Sequence, residues 1–198
     1  MKRGLLLSGG IDSAAVAWWK RPDIAYTIDY GHSAAAAEIR VARKICEIMK
    51  CQHKVFKVDA VHLGAGPLAK KAASDLSPHR EWWPFRNQFL LTVAGMHAVQ
   101  HGLHELLIGS VRGDSRHADG KRIFVERIDQ LMARQEGGLR VVAPALSYST
   151  VQLISKSKIP AAILLATHSC HSGNAHCCAC PGCNKRLAVF AAIGLTDL

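Results

Sequence analysis

Five cysteines crowd into one stretch near the end of the chain, THSCHSGNAHCCACPGCNKR: Cys170, Cys177, Cys178, Cys180 and Cys183. Two others, Cys46 and Cys51, stand apart. Such clustering in a cytosolic chain reads as metal binding rather than as a disulfide framework. Two successive C-x2-C steps bring three thiolates round one tetrahedral ion, and a fourth closes the site. A site closed by four thiolates leaves no position for substrate, so it is structural, a clip for a tail with little core of its own. Zinc is the favoured ion; an iron–sulfur cluster, which also takes four cysteines, is the rival. His168, His171 and His176 lie in the same segment and could replace a thiolate.

The second group capable of chemistry is at the other end, in LLSGGIDS. An apolar run stops at Ser8-Gly9-Gly10, and a helix begins with Ile11, Asp12 and Ser13. Paired glycines let a backbone turn sharply and come close to a ligand. The first N–H groups of the helix point outward and its dipole adds partial positive charge, which together suit a phosphate. Ser8 and Ser13 add hydroxyl donors. Asp12 would repel phosphate, so it is either the N-terminal cap of the helix or a ligand of the Mg²⁺ that accompanies a nucleotide. The stretch is not the Walker pattern, since no Lys follows Gly10, nor is it G-x-G-x-x-G. An ordinary, well-capped turn is the plain alternative.

Apolar runs of strand length alternate with longer helical patterns around these two sites. Strands are expected at 3–7, 24–29, 53–58, 106–109 and 139–143. Helices are expected at 12–20, 34–50, 86–101 and 123–134, the Ala-rich 34–50 having the clearest i, i+3, i+4 spacing. Residues 64–80 are punctuated by Gly, Pro and Ser and read as a loop with at most a short helix. The remainder is helical apart from the cysteine segment. This order predicts an α/β fold: a doubly wound, mainly parallel five-stranded sheet with helices on both faces and a C-terminal zinc-binding segment at 168–186. Ligands should bind at the C-terminal ends of the strands.

The chain has 198 residues, 49% of them apolar, and reads as a single domain over 1–198. It lacks an apolar run long enough to cross a membrane and a signal-peptide core, so a soluble, cytoplasmic protein is expected. The net charge of +10 suits nucleic acid, a small anion such as a nucleotide, or a generally basic surface. Lys and Arg are spread along the length without a basic arm.

SGGIDS directly after the first strand resembles the pyrophosphate-binding loop of the PP-loop ATP pyrophosphatases, which adenylate a carbonyl oxygen and release pyrophosphate. Further stretches narrow the resemblance to the 7-cyano-7-deazaguanine synthase family. Pro84-Phe85-Arg86-Asn87 looks like its Pro-x-Arg-Asn, and Ile108-Gly109 with Asp114 fits the end of the fourth strand. The tail resembles its zinc segment, Cys-x8-Cys-x2-Cys-x2-Cys followed by Arg. That resemblance makes Cys170, Cys177, Cys180 and Cys183 the zinc ligands, although the first gap is two residues shorter. Cys178 stands where the family usually has Gly and is a spare thiol.

The resemblance implies that ATP and Mg²⁺ bind at Ser8, Gly9, Gly10, Ile11, Asp12 and Ser13. It implies a 7-deazapurine carboxylate at Arg86, Asn87, Gly109, Asp114, Asp119 and Lys121, with Asp12, Arg86 and Asp119 at the chemistry. The carboxylate would be adenylated, ammonia would displace AMP, and a second ATP would dehydrate the amide to a nitrile. A homodimer is implied, and nucleic acid is not the expected partner. One region departs from the pattern. The family usually carries Tyr-Pro-Asp-Cys-Arg-x-x-Phe, whereas this chain has His117-Ala118-Asp119-Gly120-Lys121 before Phe124. Losing Pro and gaining Gly predicts a looser rim. Such a rim suits a protein amine as acceptor, in relatives that couple deazaguanine to a protein N-terminus in antiphage defence. A PP-loop tRNA thiolase is a further alternative, and a non-catalytic zinc module would leave SGGIDS without a purpose.

Among other residues, His32 follows the second strand and is the one histidine expected to meet nucleotide. Of Trp18 and Trp19, at least one is expected in the core. Trp82 and Trp83 suit purine stacking, loop packing or a dimer contact.

Overall fold

The computed structural model describes residues 1–114 and 116–196. Five strands, β1 (Arg3–Leu6), β2 (Ile24–Asp29), β3 (Gln52–Lys57), β4 (Glu105–Leu107) and β5 (Arg140–Val142), form one sheet in the order β3-β2-β1-β4-β5. Every pairing is parallel. The helices are α1 (Ile11–Lys20), α2 (Ala35–Met49), α3 (Arg86–Gln100), α4 (Arg122–Met132), α5 (Thr150–Ser157), α6 (Ala161–Ala166) and α7 (Pro181–Ala192). The expected α/β sheet is the observed one, and the elements expected one by one end within two residues of their expected limits. Stretch 64–80 holds a single-turn 3-10 helix, Pro67–Ala69.

Strand alternation divides the interior into two cores. Leu5, Leu7 and Leu107 face α1, α2, α5, α6 and α7, where Val16, Ile45, Leu153 and Phe190 are buried. Tyr26, Ile28, Leu106 and Val141 face the other way, against Leu91, Ala94 and Ala98 of α3 and Ile128 of α4. Burial on both sides of the central strands explains their nearly continuous apolar runs. The helix-bearing crossovers carry the chain outward from β1 in both directions, so the crevice between β1 and β4 is a topological switch point.

The paired tryptophans fall at the edge of the core and under the long loop. Trp18 and Trp19 are both only half buried. Both pack against the core from its edge, and their rings also support the cations of Arg21 and Lys20, each 3.7 Å from a ring centroid. Trp83 is buried against Tyr30, edge to face at 4.8 Å, and so packs the long loop.

Candidate active site

The loop after β1 is shaped by its glycines. Gly9 has φ +74°, a left-handed conformation, and a side chain there would press on Val41 and the Glu38 carbonyl at 3.0–3.1 Å. Gly10 is the N-cap of α1, and no side chain caps that helix. Asp12 is therefore not the cap; it is the second helical residue. The Ser8 and Ser13 hydroxyls lie 3.1 Å apart, and Ser13 donates to the Gly10 carbonyl at 3.1 Å. The Gly109 backbone presses on this loop from β4: a Cβ there would lie 2.9 Å from Ser13 Cα.

The loop borders a cavity of about 720 Å³ at the C-terminal ends of the strands. Ser8, Gly10, Ile11, Asp12, Ser13, Arg86, Asn87, Gly109, Asp114 and Asp119 all line it. Two of the expected residues do not. Gly9 turns the loop from behind, and Lys121 is an exposed N-cap of α4, so its placement in the substrate pocket is corrected. His32 is also displaced from its expected position. It is buried, stacked on Tyr30 at 4.0 Å, with Nε2 3.2 Å from Glu38. The histidines at the cavity are His117, His168 and His171.

Asp12 lies at the centre of a charge cluster that the sequence did not announce. Its Oδ1 accepts from Thr150 Oγ1 at 2.7 Å and its Oδ2 from Lys185 Nζ at 2.8 Å. The same ammonium donates to Asp114 Oδ1 at 3.0 Å. Burial raises the Asp12 pKa, with Lys185 opposing and Asp114 reinforcing it. Burial also works against the charge of Lys185, but the two carboxylates outweigh it and raise its pKa. Burial sets the direction at Asp12, and the two carboxylates set it at Lys185.

Across the cavity, burial opposes the charge of Arg86, yet Tyr30, Asp119 and Glu38 together raise its pKa and keep it cationic. Asn87 donates its backbone N–H to Asp119 Oδ2 at 3.1 Å and its amide to the Asp119 carbonyl at 2.9 Å. The start of α3 and the short 3-10 turn Ala118–Gly120 are thus tied together. The loose rim expected there is corrected: Gly120 is buried, and a Cβ on it would strike the Asp114 carbonyl oxygen. Glycine serves here to allow close approach. Gly120→Ala should therefore destabilise the protein by about 1–3 kcal/mol, as overpacking does, and calorimetry would measure it. A melting temperature equal to that of the unaltered protein would show that the rim is open after all.

The cysteine segment closes the remaining side. The Sγ atoms of Cys170, Cys177, Cys180 and Cys183 lie within 4.8 Å of one another, as tetrahedral ligands of one ion would. Backbone N–H groups of His171, Cys180 and Cys183 point at Sγ of Cys180, Cys177 and Cys180 at 3.3–3.4 Å. N–H donors of Ala179 and Cys180 draw the Cys177 thiol down to about 6, while burial pushes Cys183 up to about 12. The donor set fits a closed structural zinc site. Cys178 is exposed with φ +55°, a conformation that explains why glycine suits this position.

Hydrogen bonds join this segment to the SGGIDS loop and to the turn after β2. The His168 N–H donates to the Gly9 carbonyl at 2.9 Å, and Ser33 Oγ to the His171 carbonyl at 3.0 Å. Arg186, buried beneath α7, donates to the carbonyls of Leu164, Leu165 and Thr167 at 3.0–3.2 Å and so satisfies the end of α6.

The family described as "Queuosine biosynthesis protein QueC" matches residues 4–194. The chain belongs to this family. It is 28% identical over 195 residues to the 7-cyano-7-deazaguanine synthase 1 of Desulfitobacterium hafniense (strain Y51), covering 92% of this chain and 88% of that protein. It is 26% identical over 224 residues to the 7-cyano-7-deazaguanine synthase of Methanosarcina barkeri (strain Fusaro / DSM 804), covering 100% and 96%. The synthase of Chlorobaculum parvum (strain DSM 263 / NCIMB 8327) is 28% identical over 216 residues, covering 100% and 95%. Membership makes the chain an enzyme of the ATP-dependent ligase class. Among solved structures, the NMN synthetase of Francisella tularensis has the same fold, with a TM-score of 0.50 at 13% identity, covering 99% of this chain and 73% of that one. No helix among the described residues is long and apolar enough to cross a membrane.

Proposed function

We propose that the chain converts 7-carboxy-7-deazaguanine to 7-cyano-7-deazaguanine, using two ATP and one ammonia. The observation that carries this reading is that one cavity holds both the SGGIDS loop and Arg86. In this reading, the anchor for pyrophosphate and the anchor for the carboxylate face the same space.

In the first half-reaction, a carboxylate oxygen attacks the α-phosphorus of ATP and pyrophosphate leaves. Backbone N–H groups at the start of α1, with the hydroxyls of Ser8 and Ser13, hold the phosphates, and Mg²⁺ accompanies the nucleotide. Arg86 presents a planar, charged fork to the carboxylate. Ammonia then attacks the acyl carbon and AMP departs, which leaves the amide. In the second half-reaction the amide oxygen takes the same path: it is adenylated, and loss of AMP and protons gives the nitrile. Positioning and charge neutralisation carry the rate, with no covalent enzyme intermediate. Asp119 orients Asn87 and helps keep Arg86 charged. Cys170, Cys177, Cys180 and Cys183 would hold zinc, whose chemistry here is structural. The chain is proposed to act as one PP-loop unit with its zinc segment at 168–186, as a cytoplasmic homodimer.

An isotope experiment tests the path. Substrate labelled with ¹⁸O at both carboxylate oxygens should yield two AMP per nitrile, each carrying one ¹⁸O. AMP labelled only from solvent water would mean hydrolysis without adenylation and would remove this reading.

A further inference from the structure

The pyrophosphate loop contains no cation of its own: Ser8 to Ser13 offers N–H groups, two hydroxyls and one carboxylate. Among the described residues, four cationic side chains line the cavity, Arg86, Arg116, Lys185 and Arg186. Arg116 is paired with Glu81 at 2.9 Å, and Arg186 lies on the carbonyls at the end of α6. Arg86 sits with Tyr30, Asp119 and Glu38. Lys185 is the one that reaches the loop, through Asp12 at 2.8 Å.

Its geometry goes beyond a tie between helices. Each carboxylate it touches has its other oxygen engaged elsewhere: Asp12 Oδ1 accepts from Thr150 Oγ1 at 2.7 Å, and Asp114 Oδ2 from the Val111 N–H at 3.1 Å. The two oxygens facing Lys185 are thereby fixed, and they fix the ammonium in turn. An ammonium has three donors, and the carboxylates take two. The side chain is 41% exposed and lines the cavity. Its backbone lies on α7, whose N-cap is Cys180 and whose first turn carries Cys183.

We propose that Lys185 is the cation that meets the pyrophosphate leaving group of ATP, an inference that rests on the function proposed above. As the acceptor oxygen bonds to the α-phosphorus, the bond from that phosphorus to the α,β-bridging oxygen breaks. The electron pair stays on the departing pyrophosphate, and the ammonium meets that charge without giving up its proton. A preorganised cation next to developing charge is among the most effective forms of catalysis. The positive charge on Lys185 also offsets Asp12 and Asp114, which would otherwise repel the phosphates.

The test uses Lys185→Met in the full chain, with Lys185→Gln as the substitute should the Met variant not fold. Binding of magnesium pyrophosphate, measured by calorimetry, should weaken tenfold or more, about the value of one charge-assisted hydrogen bond. Pyrophosphate release from ATP and the acid should fall about 10²-fold. Inhibition by AMP and the zinc content should stay at the wild-type level, and Lys185→Arg should recover most of the binding. Wild-type pyrophosphate binding in the Met or Gln variant would overturn the assignment. So would equal losses of pyrophosphate and AMP binding together with zinc, which mark a structural role. Lysine-dependent pyrophosphate binding in a protein that releases none from the acid would support Lys185 and overturn the substrate instead.

Discussion

Asp12→Ala should reduce pyrophosphate release at least about 10²-fold while the protein still folds. The residue caps no helix, so the usual cost of about 1 kcal/mol for a lost cap does not arise. Its carboxylate instead holds Thr150 at 2.7 Å and Lys185 at 2.8 Å, and without it the cluster beside the loop loses its centre. Asp12→Asn should separate charge from shape. Because burial raises the Asp12 pKa in the folded protein, ionisation above that pKa costs stability. The neutral amide removes this cost but leaves the Lys185 ammonium with Asp114 as its carboxylate partner, so at pH 8 Asp12→Asn should still fold yet remain nearly inactive. The same direction of shift places the acid limb of the rate above the ordinary carboxylate range: activity should fall as pH drops through the raised pKa. Wild-type pyrophosphate release by Asp12→Ala would mean that the loop has another purpose.

Cys180→Ser should lose zinc, solubility and activity together. Its thiolate has three duties: it belongs to the four-sulfur cluster, caps α7 by accepting from the Cys183 N–H, and accepts from the His171 N–H. Structural zinc in small sites is worth about 10–16 kcal/mol to folding, far more than a tail of this kind gains by packing alone. Loss of the clip frees the start of α7, which carries Lys185 toward Asp12 and Arg186 toward the end of α6. Cys178→Ser should retain full zinc, since that thiol is exposed and outside the cluster. Elemental analysis decides: zinc retained in Cys180→Ser, or iron in the unaltered protein, would contradict the assignment.

The sheet was legible because its signals are local. Apolar runs of strand length, separated by helical spacing, imply parallel strands and crossovers, and SGGIDS falls where the chain leaves β1. Asp12 was visible as a residue but not in its role, because its partners are remote: Thr150 lies 138 positions away and Lys185 173. No periodicity connects such positions; only the closing of α5 and α7 over α1 does. The rim at Gly120 was misread because glycine in sequence does not distinguish freedom from close approach, and here the Asp114 carbonyl occupies the space. His32 was misread for a related reason. It follows β2 at the correct end of the sheet, but its ring turns inward onto Tyr30. Cys178 was set apart from its neighbours by the family resemblance, which has Gly there, and its φ of +55° gives the physical reason.

The most direct test of the central claim is product analysis by mass, with 7-carboxy-7-deazaguanine, ATP, Mg²⁺ and ammonia, in the presence and absence of protein acceptors. The tie between Asn87 and Asp119, and the packing of Gly120 on Asp114, support the proposal of a small nucleophile over a protein amine. The predicted result is 7-cyano-7-deazaguanine, with two AMP and two pyrophosphate for each nitrile formed. Consumption of ATP and the acid without nitrile, with deazaguanine mass appearing on a protein, would contradict it.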